Sequence, residues 1–450
     1  MRAFLSTVAC LAAAGVAVSI SCSAQEVATA RWSVGSELTT PCPDPLAPDS
    51  LASLRYQDFF DASATLDYRR LLAYRAIEDA VPAGVERRAY YNVLALLEAY
   101  VGNVAEAIAI QDRGALQPTT MMVFDSTGTM REVPFTPEAA YAPFPDSLLR
   151  AAYDSTALTD VLSQIPRDVR VLGLNEAHTA PLFRSTLYAA LPVLRQQGFD
   201  HLALETLYDD QTTFDAGSHP ERMSGFFAGE PVMGDVIRRA KDLGFTLVSY
   251  DAQGAGSQLA REEQSYETLI DRTFRATPDA RVVLYAGHSH TWKTQIGPIR
   301  MLGLQLKDGG RDPLVIHQSG YYERNAPAGL TSPTLYRPRD AAARADARFD
   351  YLLVLPRTRE QFGRPSWLWQ MDRVPVALDL GAIRAPRPPF LVEAFIASEP
   401  RTSVPLDRIE VRSLDDVPHL ALRSGAYRVR VTDAENNARE TDLRVESPEH

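Results

Sequence analysis

The chain is short of cysteine, lysine and long apolar runs, and each shortage closes off a class of protein. Its three cysteines are Cys10, Cys22 and Cys42. The first two lie in an N-terminal export-type segment, so Cys42 has no partner for an intramolecular disulfide even in an oxidising compartment. Lysine occurs only at Lys241, Lys293 and Lys307, and 46 basic residues face 57 acidic ones for a formal charge of −11. A balance of that sign argues against nucleic acid or an anionic membrane surface as partner. Beyond Ile20 no apolar run approaches the ~18 residues of a membrane-spanning helix, so no transmembrane segment is expected. P-loop, C-x-x-C-H and H-E-x-x-H motifs are all missing, which removes the sequence grounds for nucleotide, c-type haem or zincin chemistry.

What is present begins with Met1-Arg-Ala-Phe-Leu, an apolar run to about Ile20, and Ser-Cys-Ser-Ala24. That order of basic, apolar and small residues predicts a secretory signal peptide over 1–24, cleaved after Ala24. The mature chain would then carry −12 and be exported, to a bacterial periplasm or the extracellular space. A lipid anchor on Cys22 is the alternative, although Ser19 stands where such sites carry a large aliphatic residue. Residues 25–50 are polar and proline-bearing and read as a tether. Residues 51–165 read as a helical cap and connection, in which Ala95 to Ala109 resembles one tetratricopeptide hairpin. A single such unit makes no solenoid. Prolines from Pro118 to Pro145 make 116–165 loop-rich.

Short apolar runs separated by helix-length amphipathic segments then predict an α/β fold over 166–372, a central mostly parallel sheet flanked by helices. Strands are expected near 169–174, 201–204, 246–250, 281–286, 313–317 and 350–355, with helices near 181–197, 231–243, 259–275 and 298–307. For the first helix, Thr179 is the expected cap and Pro181 suits the first turn. Residues 373–450 alternate in short runs and predict a small antiparallel β unit.

Chemistry-bearing residues follow the ends of four predicted strands: Glu176 and His178, Glu205, Asp251, then His288 and His290. In parallel sheets ligands sit outside the carboxyl ends of the strands, so one shared crevice is expected. Glu176, His178, Arg184, Glu205 and His288 form the expected catalytic set, with Arg184 steadying a developing oxyanion. Glu176, His178, Asp251 and His290 would be the ligands if a divalent metal activated the water. Arg261 and Ser289 are the expected substrate contacts. Gly287-His-Ser289-His-Thr291 only approaches the G-x-S-x-G nucleophile elbow, because Thr291 stands where the turn needs glycine. His201, His219, His317 and His419 read as ordinary structural histidines.

At Asn175-Glu-Ala-His178, Arg184, Leu202-Ala-Leu-Glu205, Tyr250-Asp251 and Ala286-Gly-His-Ser-His290 the chain resembles the haem-binding-uptake and Tiki superfamily. That group includes ChaN-type iron-regulated lipoproteins, Tiki and TraB proteins, and erythromycin-esterase-like hydrolases. The resemblance covers roughly residues 166–370, and Asn175 replaces the family's usual glycine. It implies that Glu176, His178, Glu205 and one of His288 or His290 are the reactive set. It also implies one of two roles: hydrolysis of a peptide or ester bond in a peptide or small-molecule substrate, or haem binding through His178, Tyr208 or Tyr250. Kinship of fold alone does not choose between them.

Overall fold

The computed structural model describes residues 27–33, 68–117, 119–124, 130–135, 146–208, 218–327, 329–345 and 348–446. The signal segment, Cys22 and most of the tether lie outside the described residues. Three helices come first: α1 (Tyr68–Ala76), α2 (Val85–Tyr100) and α3 (Val104–Ala115). α2 and α3 form the expected hairpin, and its turn needs glycine. Gly102 has φ 84°, and a Cβ there would collide with the Arg408 carbonyl, a double demand only glycine meets.

Ala30–Ser33, inside the stretch read as a tether, is a strand, β1. Ala30 and Trp32 pack on an apolar cluster while Arg31 and Ser33 face out, a two-residue alternation too short to stand out among polar neighbours.

The central sheet has eight strands: β2 (Tyr153–Ala157), β3 (Val171–Glu176), β4 (His201–Leu204), β5 (Thr246–Ser249), β6 (Val282–Gly287), β7 (Leu314–Tyr321), β8 (Thr334–Pro338) and β9 (Tyr351–Val354). Their order is β2-β8-β9-β7-β3-β6-β4-β5. From β9 to β5 every pairing is parallel, and only β8 runs antiparallel to its neighbours. Apolar runs such as Val282-Val-Leu-Tyr-Ala have no polar alternation because both faces are covered. Leu172 and Leu174 pack toward α4 (Leu182–Gln196) and α5 (Pro231–Asp242). Val171, Val282 and Leu284 pack toward α6 (Gln258–Ile270) and α7 (Leu302–Asp308).

All six strands expected for this section are present, close to the predicted bounds. The central sheet's two unforeseen strands, β2 and β8, lie at its antiparallel edge, and within the stretch expected to be loop-rich Thr119–Phe124 and Met130–Phe135 pair as an antiparallel hairpin. Thr179 does not cap α4: its hydroxyl donates to Gln111 of α3 instead.

A separate sheet contains β10 (Phe390–Ile396), β11 (Asp407–Val411), β12 (Gly425–Thr432) and β13 (Ala438–Val445) in the order β1-β13-β12-β10-β11, every pair antiparallel. It is joined to the rest by buried ion pairs. Arg75 of α1 reaches Glu410 at 2.6 Å, Arg238 of α5 reaches Glu399 at 2.6 Å, and Arg364 reaches Asp407 at 2.7 Å. Such pairs contribute register more than net stability, and losing one partner is what costs. Among the described residues no helix is long and apolar enough to cross a membrane.

Candidate functional site

β3 and β6 are central neighbours with Glu176 paired to Gly287, so the residues that follow them must meet. Glu176, the last residue of β3, is buried. Its Oε1 accepts from His178 Nδ1 at 2.9 Å and from Arg184 Nη2 at 2.8 Å, and its Oε2 from Arg184 Nε at 2.8 Å and the Tyr285 hydroxyl at 2.9 Å. Burial alone would raise this carboxyl, but the Arg184 charge and the hydrogen bonds from Arg184 and His178 hold it down to about 2. Glu176 is an ionised, saturated carboxylate with no lone pair left for a water.

Arg184 is fully buried and turned inward. Besides Glu176 it donates to Glu230 Oε2 at 2.9 Å and to the His178 carbonyl at 3.0 Å. Glu230 caps α5 through the amides of Val232 and Met233. The expected oxyanion role for Arg184 is therefore corrected: its donors are spent on protein acceptors, out of reach of a substrate.

His178 is what this framework positions. Its ring stacks on Phe227, centroids 4.1 Å apart, and meets His288 edge-on at 5.2 Å. With Nδ1 given to Glu176, Nε2 has no hydrogen-bond partner among the described residues, and the side chain is 23% exposed. A Cβ on Gly287 would collide with His178 Cε1 and Nε2 and lie 3.1 Å from Glu205 Oε2. His178 Nε2 and Glu205 Oε2 thus flank one point above the end of β6.

Glu205 follows β4 and is nearly buried. Its Oε2 accepts from the Gly287 amide, and its Oε1 takes Arg261 Nη2 at 2.7 Å with His290 Nε2 at 3.5 Å. Burial opposes its ionisation, yet the nearby histidines, the Gly287 amide and Arg261 lower its pKa. Arg261 grips Asp251 through both carboxylate oxygens, at 2.8 and 2.7 Å. His290 gives Nδ1–H to Glu262. Burial would lower its pKa, but that hydrogen bond and the charges of Glu205 and Glu262 raise it.

His288 sits at φ 43°, a left-handed conformation unusual for a side-chain-bearing residue. Its amide donates to the Glu176 carbonyl at 2.8 Å, and its carbonyl accepts from Asn175 Nδ2. The ring has an open edge, but protein crowding and His178 push its pKa down to about 4.

Asn175 is a buried clamp. Its Oδ1 accepts from the Gln318 amide at 2.7 Å and its Nδ2 reaches His317 Nδ1 at 2.8 Å. Trp292 Nε1 also donates to His317 Nδ1, at 3.3 Å. With both neighbours donating, Nδ1 is the bare nitrogen of a neutral imidazole, in line with a pKa lowered by burial to about 4. Read from sequence as an ordinary structural histidine, His317 is structural, but it braces the loop that carries His288.

Eight of the nine expected site residues come together in two contiguous halves, Arg184–Glu176–His178–His288 and Asp251–Arg261–Glu205–His290. Ser289 is the exception: its hydroxyl has no hydrogen-bond partner among the described residues, and no helix follows to make an elbow. Sequence reading missed Tyr285, Phe227, Glu230 and Glu262. Only Glu230-Pro231, a capping residue before a first-turn proline, left a local signal.

The expected metal ligands do not fit a divalent ion. Glu176 and Asp251 are taken up by Arg184 and Arg261, His290 Nδ1 by Glu262, and no group of three or more His, Cys, Asp or Glu among the described residues is arranged to hold one. Of the expected haem ligands, Tyr250 is buried in the apolar cluster beneath α6, while His178 keeps Nε2 open although Phe227 covers one face of its ring.

No family model matches the chain, and no curated protein matches it at a significant level. Among solved structures it is similar to the type III effector HopBA1, at 15% identity and TM-score 0.31 over 45% of this chain and 94% of that one. It is similar to RRSP, a MARTX toxin effector domain from Vibrio vulnificus CMCP6, at 18% identity and TM-score 0.27 over 38% and 37%. A third is Pasteurella multocida toxin, whose C-terminal region is described as having a thiol-protease-like catalytic triad. It matches at 12% identity and TM-score 0.31, over 61% of this chain and 34% of that one. At such TM-scores the activities of these proteins are theirs alone.

Proposed function

We propose that the chain is an exported hydrolase of the haem-binding-uptake and Tiki kind, in which His178 is the general base that activates water toward a peptide or ester carbonyl. One observation carries this reading. His178 has its Nδ1 fixed by a buried, ionised Glu176 and its Nε2 free beside Glu205. A carboxylate on Nδ1 selects the tautomer with a bare Nε2 and stabilises the imidazolium formed when that nitrogen takes a proton. Glu205 Oε2 offers the same water a second acceptor. Glu176 is thus the orienting carboxylate and His178 the base. Support for the superfamily is the convergence of Glu176, His178, Glu205 and both late histidines at the carboxyl ends of neighbouring strands.

The test is turnover by the purified chain on a panel of esters and peptides. His178→Ala is expected to lower the rate by about 10²–10⁴-fold, the usual worth of a positioned general base; undiminished turnover refutes the reading. No turnover, together with a saturable hemin Soret shift that His178→Ala abolishes, would move the site to haem binding.

A further inference from the structure

We infer that Glu262 and His290 form a second carboxylate–histidine couple that donates a proton, and that it suits the site to unactivated bonds, alkyl esters or amides, whose leaving group must leave protonated. The inference rests on the hydrolase reading of His178 and adds the opposite wall of the same crevice.

The geometry pairs the two histidines. Each gives its Nδ1–H to a buried glutamate, Glu176 for His178 and Glu262 for His290, and each brings Nε2 to Glu205 or beside it. Glu262 is 1% exposed, and its second oxygen accepts the Leu302 amide at 2.9 Å while Gln258 Nε2 reaches Oε1 at 3.1 Å. Its carboxylate is therefore fixed between α6 and the start of α7. His290 is 18% exposed on its side chain, so Nε2 remains reachable. At 3.5 Å from Glu205 Oε1 that nitrogen's proton is near a carboxylate but not committed to it.

The charge of Arg261, which works against a proton on His290, is paired with Asp251 and Glu205. The two couples differ in what their Nε2 meets: that of His178 has no hydrogen-bond partner among the described residues, whereas that of His290 lies 3.5 Å from Glu205 Oε1 with Glu262 on the other side of the ring. Burial would lower the pKa of His290, but the hydrogen bond to Glu262 and the charges of Glu205 and Glu262 raise it, which suits it to the acid's part.

The chemistry balances. Water oxygen bonds to the carbonyl carbon as His178 Nε2 takes one of its protons. The tetrahedral intermediate then breaks its bond to the alkoxide or amine as His290 Nε2 delivers a proton to that atom. Acid and alcohol, or acid and amine, leave, and the two imidazoles have exchanged protonation states. A nitrophenolate is stable without a proton, so its departure does not need His290.

The experiment compares ethyl butyrate with p-nitrophenyl butyrate, which share an acyl group, in the full chain. In Glu262→Gln and His290→Gln the ratio of kcat/KM for the ethyl ester to that for the nitrophenyl ester is expected to fall about 100-fold, the lower end of a general acid's worth. The unaltered protein supplies a readout that needs no variant. Its ethyl ester profile should decline on the alkaline side as His290 deprotonates, a limb the nitrophenyl ester lacks. Turnover that needs His178, with an unchanged ratio and identical pH profiles, overturns this inference alone. No turnover of either ester, or turnover that survives His178→Ala, overturns the hydrolase reading beneath it.

Discussion

Arg184 illustrates how far a residue's role depends on where its donors go. In the sequence it stands a turn into the helix that follows His178, placed to meet a substrate. In the fold it is enclosed between Glu176 and Glu230, at 2.8 and 2.9 Å, and what it supplies is a charge that keeps Glu176 ionised. Arg184→Ala would leave two buried carboxylates without a counter-charge, and is expected to cost about 3–5 kcal/mol in urea unfolding. A loss near zero would contradict the inward role. The same pair predicts a pH dependence. Glu176 titrates near 2 in the fold against 4.5 ordinarily, so its stabilisation is present above that ordinary value and is lost as pH falls through the window toward 2. Stability measured across that window should fall in the unaltered chain and be flatter in Arg184→Ala.

Elements outside the α/β section reach the site through α2. Tyr100, at its last turn, donates its hydroxyl to the Phe226 carbonyl, and its own carbonyl accepts from Arg408 of the C-terminal sheet at 2.8 Å. The next residue, Phe227, is pinned by its amide to Thr206 Oγ1 at 2.7 Å and carries the ring on which His178 stacks. Tyr100→Phe removes one hydrogen bond, worth about 1 kcal/mol of stability. Because that bond fixes the loop under His178, kcat should fall although the chain still melts as a folded protein; unchanged kcat would dismiss the buttress.

Such links explain what the sequence could and could not show. The parallel strands were legible because burial on both faces leaves unbroken apolar runs, and the reactive residues because they follow those runs directly. β2, with Asp154-Ser-Thr156, has no such run and was invisible, as was β1. The partners Tyr285, Phe227 and Glu262 were hidden because their convergence is made by tertiary packing, which no spacing encodes.

At the scale of the molecule, the helical cap, central sheet and C-terminal sheet share buried ion pairs: Arg75 with Glu410, Arg238 with Glu399, Arg364 with Asp407, Arg373 with Asp235. Truncation after Asp372 would strand Arg238, Arg364 and Asp235 without their partners beyond the cut. The shortened chain is expected not to fold, and the intact chain to melt in one calorimetric transition rather than two. Separate melting of a stable residue 27–372 fragment would show that the C-terminal unit is independent. All of these links serve one arrangement, an imidazole held by Glu176 with a bare nitrogen facing Glu205. Nitrogen-15 spectra of the intact chain labelled at histidine read that arrangement directly. Neutral His178 is predicted to carry its proton on Nδ1 and none on Nε2, and a proton found on Nε2 instead would contradict the account.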